Sequence, residues 1–292
     1  MKNQTYYKTA VIDGLNIFYR EAGKKGNPVI LLLHGFPSSS HMYRNLTADL
    51  SATYHVIAPD YPGFGQSSAP ATDQYTYTFD NLSVTIEHFI DYLKLRNINL
   101  YIQDYGGPIG LRIAARRPEL IHSLIVQNAN AYNEGLGEAL APLVAYIENQ
   151  NADTEKQARF FLTEEATKWQ YSNGAEDIEK ISPESYIIDQ YYLNRPGNDQ
   201  IQLALFRDYG SNLLRYSEWQ SYFREHQPPM LVVWGKNDVM FIAAGGDAYL
   251  KDLPNAQIHN INGGHFLLEE HHAYVAKLID NFINKKLHYL LQ

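Results

Sequence analysis

Five short runs of the chain are apolar almost without interruption: "PVILLLHG", "YHVIAPD", "INLYIQD", "SLIVQNA" and "PMLVVWG". Each ends at a turn or a polar residue, the form expected of a strand buried on both faces. Helical segments separate most of them, and that alternation predicts a mostly parallel sheet with helices on both sides. The start, "YYKTAVIDGLNIFYREAG", instead holds two β-rich runs around Asp13-Gly14, which reads as a hairpin. A last run, "QIHNING", precedes a final helix over "HHAYVAKLIDNFINKKL".

One region breaks this rhythm. From residue 131 to residue 226 there is no buried-strand run, only helical and loop-like sequence carrying several Asn, Gln and Glu. An ordinary connection takes a handful of residues, so this length predicts a helical lid inserted after the sixth strand. The sheet domain is then discontinuous, with 1–130 and 227–292 as its two parts and 131–226 as the cap. No internal repeat or low-complexity tract interrupts either part.

Composition narrows the partners. The net charge of -8 argues against nucleic acid and anionic membrane, both of which call for a basic face. With no cysteine the chain has no disulfide, thiol nucleophile or cysteine metal site. The first residues, "MKNQTYYKTAVIDG", carry no apolar signal core, and no run reaches transmembrane length. A cytoplasmic protein acting on a small molecule is the expectation, with monomer and homo-oligomer both open.

Open parallel sheets place their sites outside the carboxyl ends of the strands. The polar residues there are His34, Asp60, Asp104, Asn128 to Asn130, Asp238 and, after the last strand, His265. Asp104 in "LYIQDYGGPIG" has an ordinary reading: an Asp caps a helix N-terminus, and Pro108 suits its first turn. Its partners suggest another. Asp238 follows "LVVWGKN" and His265 follows "NINGG", so the chain carries an acid, a second acid and a histidine at strand ends, in the nucleophile, acid, histidine order of α/β-hydrolases. The usual G-x-S-x-G elbow is absent, and Asp104 stands where its serine would be.

With "LLLHGFPSSSHMYRNL", "VIAPDYPGFGQSS", "QDYGGPIGL" and "GGHFLLEEH" in order, the chain resembles the haloalkane dehalogenase and epoxide hydrolase branch of the α/β-hydrolases, over nearly its whole length outside the lid. The resemblance implies the α/β-hydrolase fold and Asp104 as a nucleophile that forms an alkyl ester with substrate. It implies His265 as the base that activates water and Asp238 as the acid that orients it. It also implies an oxyanion site at the backbone N–H groups of Phe36 and Tyr105, and no cofactor. Some dehalogenases take the acid from the end of strand six; that end is "QNANAYNEG" here, leaving Glu134 as the fallback. His34, Asp60, His271 and His272 read as structural, and "HFLLEEHH" lacks the H-E-x-x-H order of a zinc site.

The two branches differ at the leaving atom. By the resemblance, a dehalogenase grips halide with a Trp after the nucleophile and an Asn after His-Gly, positions occupied here by Tyr105 and Phe36. Trp169 and Trp219 in the lid are the remaining halide donors. Epoxide hydrolases use two lid tyrosines, and Tyr209 in "FRDYGSN" has about the spacing of the second. Tyr146 and Tyr132 are the candidates for the first. The expectation is an epoxide hydrolase-like activity on small apolar substrates, with a dehalogenase as the alternative and a hydrolase-fold binding or receptor protein as the third reading.

Overall fold

The computed structural model describes residues 4–290. Eight strands form one sheet: β1 (Tyr6–Ile12), β2 (Leu15–Ala22), β3 (Val29–Leu33), β4 (His55–Pro59), β5 (Ile98–Gln103), β6 (Ile121–Gln127), β7 (Met230–Gly235) and β8 (Gln257–Ile261). Their order is β1-β2-β4-β3-β5-β6-β7-β8. β1, β2 and β4 pair antiparallel, and every pair from β4–β3 to β7–β8 is parallel. The hairpin turn is Asp13-Gly14, both with positive φ, which matches the twist of the strands it joins.

The apolar runs are continuous because both faces are covered. Leu31 and Leu33 of β3, Leu100 and Ile102 of β5, and Val232 of β7 join one core. Ile30, Leu32, Tyr101 and Val233, alternating with them, join the other. Helices α1 (Arg44–Leu50), α2 (Phe79–Tyr92) and α3 (Gly106–Arg116) follow β3, β4 and β5 in turn. α2 and α3 cover the first face through Ile86, Phe89, Ile109 and Ile113. α1 covers the second face with the C-terminal helix.

Between β6 and β7 the chain is helical: α4 (Ala141–Glu148), α5 (Ala152–Ala158), α6 (Glu164–Ser172), α7 (Pro183–Leu193), α8 (Asn198–Asp208), α9 (Gly210–Leu214) and α10 (Tyr216–His226). The start of this helical segment is tied to the sheet domain. Gly137 N donates to Met240 O at 2.8 Å, and Ile242 N donates to Gly135 O at 3.0 Å. A short α11 (Ala244–Asp247) follows β7, and α12 (Leu268–Leu290) follows β8, starting a few residues before the predicted "HHAYVAK" run.

Candidate active site

Asp104 stands one residue beyond β5, in a backbone conformation (φ 49°) that non-glycine residues rarely take. The bend is held by Gly107 N donating to Asp104 O at 2.8 Å and Asp104 N donating to Asn128 O at 3.2 Å. The two glycines after Tyr105 have a steric reason. A Cβ on Gly106 would lie 2.0 Å from Leu33 O, so only glycine lets α3 start this close to β3. Gly35 is constrained likewise: its Cβ would lie 2.3 Å from Asp104 Cβ.

The helix-cap reading of Asp104 is not what forms. The helix begins at Gly106, two residues before Pro108, and Tyr105 occupies the cap position. The Asp104 carboxylate instead accepts from Phe36 N, at 2.6 Å on Oδ1, and from Tyr105 N. The backbone donors expected of an oxyanion site thus already face the carboxylate. Burial pushes the Asp104 pKa up, against the opposing pull of His265 and these two N–H groups, and the net shift is upward.

Asp238 and His265 reach the same place from β7 and β8. His265 Nδ1 lies 2.6 Å from Asp238 Oδ2, and His265 Nε2 lies 3.9 Å from Asp104 Oδ2, beyond a direct hydrogen bond. Asp238 is pinned on its other sides: Oδ1 accepts from Met240 N (2.8 Å) and Phe241 N (3.1 Å), and Oδ2 accepts from Asn128 Nδ2 (2.8 Å). Burial lowers the His265 pKa, but the charge and hydrogen bond of Asp238, with a smaller push from Asp104, carry it above its ordinary value. The fallback acid Glu134 is half exposed and pairs with Lys251 on the surface, away from His265.

Three polar residues at strand ends also bear on the site. Gln103, the last residue of β5, places Nε2 2.9 Å from His265 Nε2, while its Oε1 has no partner. Gln127, the last of β6, donates to His265 O at 3.2 Å. Asn128 occupies the strand-six position where some dehalogenases carry the acid, and it holds Asp238 instead of replacing it. The signal for the two glutamines was available: each ends an otherwise buried apolar strand, where an amide needs a partner. His34 and Asp60 are buried supports. His34 stacks on Tyr61 with centroids 4.1 Å apart and is pushed down to about 3 by burial. Asp60 accepts from Ser40 N (2.7 Å) and Gln66 N (2.8 Å).

Asp104 opens into a cavity of about 50 Å³, where about 10–15 Å³ holds one water. Its wall is almost wholly apolar, with Leu140, Leu143, Ile147, Phe161 and Met240 among the lining residues. Phe36, Tyr105 and Tyr209 also line it. Burial is the main reason that the Tyr209 hydroxyl is held well above its ordinary pKa, with Asp104 among the charges that add to it.

The other lid candidates do not reach this cavity. Tyr132 turns back to the core, where its hydroxyl donates to Asp252 Oδ2 at 2.7 Å. Tyr146 is buried, and its hydroxyl accepts from Arg207 at 2.9 Å. Trp169 packs against the apolar core without lining the cavity, and Trp219 is fully buried under Arg112. The residue of α6 that does line the cavity is Gln170, one position beyond Trp169. Successive helical residues point about 100° apart, so that single step decides which side chain enters.

His271 and His272 serve local contacts, Asn262 O at 2.8 Å and Asp49 at 2.5 Å. Among the described residues, no group of three or more His, Cys, Asp or Glu is arranged to hold a metal ion. No described helix is long and apolar enough to cross a membrane.

Comparison with known proteins agrees with this architecture. The sequence pattern of the α/β hydrolase fold family matches residues 28–272. The uncharacterized hydrolase YNR064C of Saccharomyces cerevisiae is 41% identical over 278 residues, covering 94% of this chain and 95% of that protein. A haloalkane dehalogenase of Psychrobacter cryohalolentis is 28% identical, covering 92% and 88%. Epoxide hydrolase 4 of Mus musculus is 40% identical over 115 residues, covering 39% of this chain and 32% of that protein.

Proposed function

The chain belongs to the α/β-hydrolase family, and from that premise we propose that it is an enzyme working through a covalent alkyl ester on Asp104, opening small apolar epoxides. The observation that carries this reading is the pairing of Asp104 and Tyr209 in one apolar cavity, with no tryptophan in its wall. Halide leaves as a weak base and needs only N–H donors, whereas an oxirane oxygen needs a proton. A tyrosine hydroxyl supplies that proton. The positions where the dehalogenase branch carries a core Trp and Asn are Tyr105 and Phe36 here, and neither side chain has an N–H to offer.

In this scheme a carboxylate oxygen of Asp104 attacks a ring carbon as the C–O bond breaks, and the freed oxygen takes the Tyr209 proton. Water activated by His265 then attacks the carboxyl carbon of the ester, and Asp238 stabilises the imidazolium that forms. Negative charge collecting on the ester oxygen meets Phe36 N and Tyr105 N, the groups that hold the resting carboxylate. The 3.9 Å between His265 Nε2 and Asp104 Oδ2 leaves the base near the ester without tying it to the nucleophile.

The test is a panel of small epoxides and haloalkanes assayed in parallel for diol and for halide. Diol release with little halide is the expected outcome. Efficient halide release from simple haloalkanes with no diol from epoxides would make this a dehalogenase instead. Tight binding without either product would support a binding protein.

A further inference from the structure

Gln103, the last residue of β5, is fully buried, yet among the described residues its amide makes one hydrogen bond, to His265. Its Nε2 lies 2.9 Å from His265 Nε2, and its Oε1 has no partner. A buried amide with one end unpaired is costly, and native proteins leave few such atoms. Gly35 makes the room for it, since a Cβ there would lie 2.4 Å from Gln103 Oε1.

The direction of the bond follows from the other side of the ring. His265 Nδ1 lies 2.6 Å from Asp238 Oδ2, and a carboxylate accepts, so Nδ1 carries a proton. In the neutral ring Nε2 is then bare, and only a donor can face it at 2.9 Å. The amide therefore presents its N–H to the ring, and Oε1 is the end left over. These two partners pull the base in opposite directions. The Asp238 charge favours the imidazolium, whereas a hydrogen bond into the Nε2 lone pair exists only with the neutral ring and favours that form. The charged groups facing His265 are Asp238 at the end of β7 and Asp104 at the end of β5. Its ring neighbours, Phe241 and Phe266, carry no charge. A proton on Nε2 would set a cation 3.9 Å from Asp104 Oδ2 and pair the nucleophile before substrate reached it.

We propose that Gln103 is the positioning residue of the base: its N–H fills the Nε2 lone pair in the resting enzyme and yields it to the hydrolytic water once the ester has formed. This rests on His265 as the base of the proposed reaction. With the N–H in place, His265 stays neutral and Asp104 stays free to attack carbon. When water takes the lone pair, its oxygen bonds the carboxyl carbon of the ester as its proton passes to His265 Nε2. The displaced amide gives up no second bond, because Oε1 held none. Gln103 itself neither gains nor loses a proton.

The test is an NMR titration of His265 in protein carrying isotope-labelled histidine, with the His265→Gln spectrum identifying the signal. Wild type is compared with Gln103→Leu and Gln103→Met, which remove the N–H in two shapes so that one folded variant suffices. In both, the His265 pKa should rise by about one unit, the worth of one net hydrogen bond. Single-turnover hydrolysis of the alkyl ester should move with it. It should be several-fold slower at neutral pH and recover as the pH is raised through the new value, a recovery that a distorted site would not show. A His265 pKa that stays at the wild-type value overturns the assignment. So does one that falls, since a fall means that the amide oxygen faces an imidazolium. The titration needs no substrate, so a raised pKa in an enzyme that forms no diol from epoxides would uphold Gln103 and defeat only the epoxide reading.

Discussion

On the core wall of the cavity, polar groups hold one another: Asp238 engages four partners, and Asp104 is held by two backbone N–H groups. On the cap wall, polar groups are few. Gln170 Nε2 has no hydrogen-bond partner among the described residues, and Tyr209 lines the cavity. In the proposed scheme this core-wall network carries out the hydrolysis of the Asp104 ester. The opposite wall is almost wholly apolar, and in the same scheme Tyr209 is its proton donor. Ester hydrolysis thus belongs in that scheme to the core wall and proton donation to the leaving oxygen to the other wall, so each step can be broken separately.

The largest expected effect lies on the core wall. His265→Gln removes the base while leaving Asp104 free to attack, so turnover should fall by about 10²- to 10⁴-fold, the usual contribution of a general base. The alkyl ester should then accumulate, and intact-protein mass should rise by the mass of the epoxide. An unmodified protein, given a substrate that wild type turns over, would remove His265 from the hydrolytic step.

The second effect separates the walls. Tyr209→Phe should slow alkylation by an epoxide about a hundredfold, with hydrolysis of the ester unaffected. Tyr132→Phe and Tyr146→Phe should leave alkylation near the wild-type rate, because those hydroxyls serve Asp252 and Arg207 instead of the cavity. Stopped-flow measurement of the alkylation phase distinguishes the three. A large loss in either control variant would place the proton donor elsewhere in the cap.

The same division explains what the amino-acid sequence discloses. Asp104, Asp238 and His265 were legible because each follows an unbroken apolar strand, and strand ends in a parallel sheet converge by topology. The long strand-free stretch before "PMLVVWG" was legible as helical for a similar reason: a connection of that length has to hold structure of its own. The cap wall is different. Tyr132, Tyr146, Trp169 and Gln170 all lie in helical or turn sequence where a shift of one residue turns a side chain by about 100°. The phase of α6 depends on Tyr171 meeting Phe266 and Asp189, partners 95 and 18 residues away, and no local pattern encodes that. Gln103 lay between these cases. Its place at a strand end was visible, but its partner His265 lies 162 residues further along the chain, and no local pattern encodes that contact.

The smallest and most discriminating effect is on pH. In the proposed scheme alkylation needs Asp104 ionised, and hydrolysis needs His265 neutral. Both groups have pKa values above their ordinary ones: Asp104 through burial, and His265 because the Asp238 charge and hydrogen bond outweigh burial. A raised histidine pKa keeps the imidazole protonated to higher pH, so hydrolysis fades as pH is lowered through a value above the ordinary imidazole value of about 6.5. The prediction takes the Asp104 carboxylate, raised by burial, to titrate below His265, as carboxylates ordinarily do, so that alkylation continues below that point. Esterification removes the Asp104 charge and with it that part of the upward push on His265. The Asp238 charge and hydrogen bond remain to oppose burial. Lowering the pH from neutral should therefore slow the second step before the first, and alkyl-enzyme should build up in mildly acidic solution. Quenched samples across a pH series, read by intact mass, measure this directly. If the two steps fade together, or alkylation fades first, then the order of titration assigned to the nucleophile and the base is wrong, even if both residues prove essential.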